Sequence, residues 1–205
     1  MITIIDYGVG NLRSVEKAFA AVGVKTQISN NPEVLQTADA LVLPGVGAFG
    51  DAMVSLKATG FDQIILAAAK VGKPILGICL GFQLLFEESE EFGLHKGLGL
   101  LPGRVVRFSD SELRVPHVGW NQIHERYSHP ILSDIADRAY FYFVHSFYVK
   151  TTLVSDVIAS TNYGISFSAI AGRNNVVGAQ FHPEKSQHTG LTLLKNFATR
   201  MAKEC

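Results

Sequence analysis

Apolar residues fall along this chain in two alternating textures. Short unbroken runs read as buried strands, the first being Ile2-Thr3-Ile4-Ile5. Between such runs the apolar positions return every three or four residues, as on one face of a helix. Leu12, Val15, Phe19 and Val22 keep that helical period, with Asn11 placed to cap the helix and Gly23 to end it. Residues 24–28 are the next strand candidate. Asn31-Pro32 opens a short helix by the cap-then-proline rule, and residues 40–43 are another buried strand. Residues 50–72 read as helical with a break at Thr59-Gly60, residues 74–78 as a fourth strand, and residues 80–88 as a helix. This rhythm predicts a parallel sheet wrapped by helices.

From Gly103 onward the pattern turns β-rich, with strand candidates at 105–108, 140–149, 157–160, 166–171 and 176–181, punctuated by Asn-Tyr-Gly and Arg-Asn-Asn turns. A last helix is expected over 190–202. The expected fold is α/β, with a mixed, mostly parallel sheet flanked by helices and an added antiparallel β portion. With no repeat, linker or low-complexity tract, residues 1–205 are expected to form one domain.

Composition narrows the function. The 205 residues are 47% hydrophobic and 18% charged, which suits a well-filled core. Eighteen basic residues balance eighteen acidic ones, so no field favours nucleic acid or an anionic membrane. Met1 leads directly into a strand-like run, and no apolar stretch reaches the ~18 residues of a membrane span. Cys79 and Cys205 lie too far apart in the sequence to suggest a disulfide scaffold, so a cytoplasmic protein with a free thiol is expected, Cys205 being a tail residue.

Gly77-Ile78-Cys79-Leu80-Gly81 sits between a buried strand and a helix, the setting in which Gly-x-Ser-x-Gly forms a nucleophile elbow. Its glycines would let the chain pass close by, and the helix N-terminus would favour a thiolate at Cys79. The plain alternative is a small residue packed at a tight turn. His182-Pro183-Glu184, after the strand at 176–181, supplies the base that the catalytic reading needs. In extended backbone, residues two apart share a face, so Glu184 would orient the His182 ring, and the strand would deliver both to the sheet edge. Alone, the tripeptide would be a turn with a surface ion pair. A metal site is disfavoured because no third ligand has suitable spacing. Gly8-Val9-Gly10 fails as a dinucleotide signature, since Arg13 stands where a third glycine is due.

An elbow cysteine followed about a hundred residues later by His-Pro-Glu resembles the class I, triad-type glutamine amidotransferases. Within them the chain is similar to the glutaminase subunits of imidazole glycerol phosphate synthase. The segments Pro44-Gly45-Val46-Gly47, Gly119-Trp120-Asn121 and Glu184-Lys185 carry that narrower likeness. The resemblance implies Cys79, His182 and Glu184 as the triad, and the Val46 and Leu80 amides as the oxyanion hole, with the glycines flanking Val46 allowing its peptide to flip. It implies glutamine contacts from Gly45, Gly47, Gln83, His145 and Ser146, although His145 and His117 also read as structural hydrogen bonders. Asn11, Trp120, Asn121 and Lys185 would face a partner, a (β/α)-barrel cyclase forming a heterodimer with this chain. Ammonia would pass to that cyclase, giving imidazole glycerol phosphate and AICAR in histidine biosynthesis, with no cofactor and no metal. Another amidotransferase of the class, a stand-alone cysteine hydrolase and a non-catalytic module are the competing readings.

Overall fold

The computed structural model describes residues 1–108 and 113–202; Cys205 lies outside them. In chain order the elements are β1 (Ile2–Ile5), α1 (Leu12–Ala21), β2 (Thr26–Ser29), α2 (Pro32–Thr37), β3 (Ala40–Gly45), α3 (Phe49–Ala58), α4 (Phe61–Lys70), β4 (Ile75–Cys79), α5 (Leu80–Leu84), β5 (Phe86–Ser89), β6 (His95–Lys96), β7 (Leu101–Arg107), β8 (His117–Gln122), β9 (His124–Glu125), β10 (Tyr140–His145), β11 (Phe147–Thr151), β12 (Val157–Tyr163), β13 (Ile165–Arg173), β14 (Val176–Ala179) and α6 (Gln187–Asn196). No single helix among the described residues is long and apolar enough to cross a membrane.

Eight strands form one mixed sheet in the order β2-β1-β3-β4-β14-β13-β12-β9. Strands β2 to β14 in that order run parallel, and the remaining pairings are antiparallel. Alternation along the central strands loads both faces. Ile4, Val42, Leu76 and Val177 join α1 and α6 on one side, through Phe19, Leu193 and Leu194. Ile5, Leu41, Leu43 and Ile75 join α3, α4 and α5 on the other, through Phe49, Leu56, Ile65 and Phe82. Outside this sheet lie a four-stranded sheet, β11-β7-β5-β6, and a two-stranded ribbon, β10-β8.

Four expectations change. The helix expected over 80–88 stops at Leu84, because the carbonyls of Leu84, Leu85 and Phe86 accept N–H groups from residues 98–101 and Phe86–Ser89 pairs with β7. The run at 140–149 is two strands in different sheets, divided at Ser146, since β10 pairs with β8 and β11 with β7. The last helix begins earlier than expected, at Gln187, and widens into a π turn over Phe197–Met201. Strand β14 is not at an edge: it lies between β4 and β13.

Asn11 stands at the N-cap of α1 without a side-chain cap bond, whereas the Asn31 side chain accepts the Glu33 N–H at 2.9 Å and caps α2.

Candidate active site

Cys79 ends β4 and begins α5 with φ 54° and ψ −108°. A non-glycine residue held at positive φ stores of order 1–3 kcal/mol of strain. Contacts on both sides keep it there. A Cβ on Gly77 would sit 2.7 Å from Phe82 Cα, and one on Gly81 would overlap the Leu43 carbonyl oxygen. Glycine at both positions therefore lets strand and helix close on each other, and the cysteine between them turns sharply.

His182 follows β14, the parallel neighbour of β4 in the register Ala179↔Ile78. Cysteine and histidine thus leave adjacent central strands at the same end. The extended backbone expected through Glu184 gives way to a 3-10 turn over Pro183–Lys185. That turn is fastened to β10: the His182 N–H donates to the Tyr142 carbonyl at 2.9 Å, and Ser186 Oγ donates to the His182 carbonyl at 2.6 Å while accepting the Tyr142 N–H at 2.9 Å. Ring and carboxylate still meet, with His182 Nδ1 2.8 Å from Glu184 Oε1 and their side chains 5% and 1% exposed.

A carboxylate only accepts, so His182 Nδ1 carries the proton in that bond and Nε2 is left for Cys79. Burial, the largest influence on the ring, opposes its charging. Hydrogen bonds to Cys79 and Glu184, with their negative charges, outweigh burial and push the His182 pKa up to about 10. The Gln180 amide also donates to Cys79 Sγ, at 3.9 Å.

These groups open on a cleft of about 470 Å³ lined by Val46, Gly47, Cys79, Leu80, Gln83, Glu91, Pro116, Val144, His145, Ser146, Phe147, His182 and Lys185. Most residues singled out from the sequence are therefore brought together here. Gly45 does not line the cleft: it pairs with Cys79, and a Cβ there would meet the Tyr7 hydroxyl at 2.8 Å and the Gly81 nitrogen at 2.9 Å. Beyond it, Val46 is 45% exposed and Gly47 has φ 93°. The Tyr7 hydroxyl donates to the Pro44 carbonyl at 2.9 Å and anchors the base of this segment. Burial, helped by the neighbouring Cys79, raises the Tyr7 pKa and keeps that hydroxyl a donor. Gln83 has both amide hydrogens engaged, with Phe147 O at 2.9 Å and Gln180 Oε1 at 3.1 Å.

The four residues assigned to a partner face divide. Asn11, Trp120 and Lys185 are exposed, Lys185 Nζ lying 6.0 Å above the Tyr142 ring. Asn121 instead follows the strand alternation to the side opposite Trp120, where its amide bonds within the chain. Glu91, Pro116, Val144, Phe147, Tyr7 and Gln180 were missed from the sequence. Gln180 had a signal, standing two residues before His182 in a strand-like run. Glu91, whose Oε2 accepts the Phe49 N–H at 2.8 Å, had none.

The fold is that of the glutamine amidotransferases: a solved glutamine amidotransferase superposes with a TM-score of 0.78 over 98% of each chain, at 18% identity. The model of the family described as glutamine amidotransferase class-I matches residues 3–201. Much nearer in sequence are proteins named imidazole glycerol phosphate synthase subunit HisH. That of Desulfitobacterium hafniense is 53% identical over 96% of this chain and 93% of its own length, and that of Methanosarcina acetivorans 54% identical over 96% of each. The chain belongs to the class-I glutamine amidotransferase family, in the group of imidazole glycerol phosphate synthase HisH subunits.

Proposed function

We propose that this chain hydrolyses glutamine to glutamate and ammonia with Cys79 as nucleophile, His182 as general acid and base, and Glu184 as the group that orients the histidine. The observation that carries this reading is the meeting, in one cleft, of a strained elbow cysteine and a histidine held by a buried carboxylate at 2.8 Å. Cys79 attacks the side-chain amide carbon as a thiolate, its proton already resting on His182 Nε2, where Glu184 and the sulfur hold it. The amide oxygen becomes an oxyanion that the Leu80 and Val46 N–H groups would stabilise, each such donor being worth about 3–4 kcal/mol in other enzymes. His182 returns the proton to the departing nitrogen, which leaves as ammonia, and a thioester remains on Cys79. Water deprotonated by His182 then attacks the thioester and frees glutamate. The Glu91 carboxylate lines the same cleft and suits the substrate's ammonium group, while the backbone at Gly47 and Ser146 suits its carboxylate.

Residues 1–205 would act as one cytoplasmic amidotransferase domain paired with a (β/α)-barrel cyclase, Trp120, Lys185 and Asn11 facing that partner. Ammonia would pass to the cyclase, which makes imidazole glycerol phosphate and AICAR in histidine biosynthesis; the lyase step belongs to the partner. An uncoupled glutaminase wastes glutamine, and the exposed Val46 between two glycines suits an oxyanion hole completed only when the partner is loaded. The test is glutamate release by the chain alone, and with a cyclase subunit and its substrate, against Cys79→Ala. Strong stimulation abolished by Cys79→Ala is expected. Equal rates without the partner would end the gating idea, and no release in either case would end the glutaminase reading.

A further inference from the structure

Behind the cleft runs a line of hydrogen bonds in which every proton can be placed. It starts at Asn121 on β8, whose Oδ1 accepts the Gln122 N–H at 2.8 Å, so its amide has one orientation. Nδ2 then donates twice, to the Asn162 carbonyl at 2.9 Å and to His117 Nε2 at 3.2 Å. An accepting Nε2 leaves the His117 proton on Nδ1, which donates to His145 Nε2 at 3.0 Å. His145 donates from Nδ1 to the Phe147 carbonyl at 2.8 Å. A carbonyl has only lone pairs to offer, so the far end demands the same tautomers that the Asn121 amide sets at the near end.

The line continues into the cleft wall. The Phe147 carbonyl also accepts from Gln83 Nε2, whose second hydrogen goes to Gln180 Oε1, and the Gln180 amide donates to Cys79 Sγ. The His117 ring is held in the line by stacking on Tyr163 and Phe143, with ring centroids 4.0 and 4.9 Å away. Burial holds both histidines neutral, lowering His117 to about 4. His145 falls to about 3, burial and the His117 and His182 charges overcoming its bond to Phe147.

We propose that Asn121 is a positioning residue: through the tautomers of His117 and His145 it orients the Phe147 carbonyl and the Gln83 amide at the wall of the glutamine cleft. The activity arm of this proposal rests on the glutaminase reading above. The tautomer arm does not.

Long-range proton–nitrogen correlation spectra of histidine-labelled protein at neutral pH read the tautomers directly. Both His117 and His145 are expected as the neutral Nδ1–H form; an Nε2–H form on either ring in the unmodified protein overturns the proposal whatever any variant does. Asn121→Asp keeps the shape but replaces the donor with an acceptor, so His117 Nε2 must take a proton, as the other tautomer or as imidazolium. That change is expected with a rise in KM for glutamine of about fivefold, the worth of roughly one neutral hydrogen bond, and kcat within about twofold. Asn121→Gln, which keeps an amide donor, is expected to recover part of the KM. Unchanged tautomers and KM in Asn121→Asp, or an equal loss of kcat in both variants, would overturn the role. If Cys79→Ala left glutamate release intact, the glutaminase reading would fail while the spectra still decided the relay.

Discussion

Two buried pairs, His182 with Glu184 and His117 with His145, lie at or behind one cleft, and their histidines are tuned in opposite directions. His182 has a buried carboxylate at 2.8 Å and a cysteine as neighbours, and its pKa rises to about 10. His117 and His145 have each other, an amide, a carbonyl and a ring of aromatic side chains, and their values fall to about 4 and 3. Burial presses on all three rings in the same sense. What differs is whether a negative partner sits beside the ring. The pair with one is fitted to hold a proton at neutral pH and hand it to a departing group; the pair without one is fitted to donate and accept hydrogen bonds in fixed positions.

Breaking the first pair is expected to have the largest effect. His182→Asn should lower glutamate release by at least about a thousandfold with the fold retained, and Glu184→Gln by about a hundredfold, both read as kcat in the partner complex. Glu184→Gln should also move the His182 titration back toward the ordinary histidine range. A loss below tenfold in either variant would remove the functional difference between the pairs.

A smaller effect separates them by pH. His182, raised in the folded state, contributes stability that is fully present below about pH 6.5 and is lost as pH climbs toward 10. His117 and His145, lowered in the folded state, act oppositely: the unfolded chain binds protons that the folded one refuses, so their contribution is lost as pH falls below about 6.5 toward 3. Urea unfolding should lose on the order of 2 kcal/mol per ring, and so about 4 kcal/mol for the second pair, between pH 7 and pH 5. Glu184→Gln should flatten only the alkaline limb. Stability that is flat from pH 7 to 5 would contradict neutral burial of His117 and His145.

How much of this was legible in the sequence follows from how local each feature is. The elbow and the His-Pro-Glu segment are each a few residues long, so Cys79, His182 and Glu184 stood out before any contact was known. The buried strands of the central sheet also stood out as short unbroken apolar runs. Helix 80–88 was misread because nothing within it reports that Leu84 to Phe86 will bond residues 98–101. The division at Ser146 was equally silent, being set by β8 and β7 as competing partners. Resemblance placed Asn121 beside Trp120 on an outer face, although neighbours in a strand point to opposite sides. Tyr7 and Glu91 reach the site from 72 and 12 residues away in sequence from Cys79, and only folding brings them there.

The most direct test of the central claim is to mix the partner complex with labelled glutamine, quench in acid within a turnover, and locate the label by peptide mass spectrometry. The account predicts a glutamyl thioester on the peptide carrying Cys79, absent in Cys79→Ala. Steady glutamate release with no covalent adduct on Cys79, or an adduct on any other residue, would contradict it.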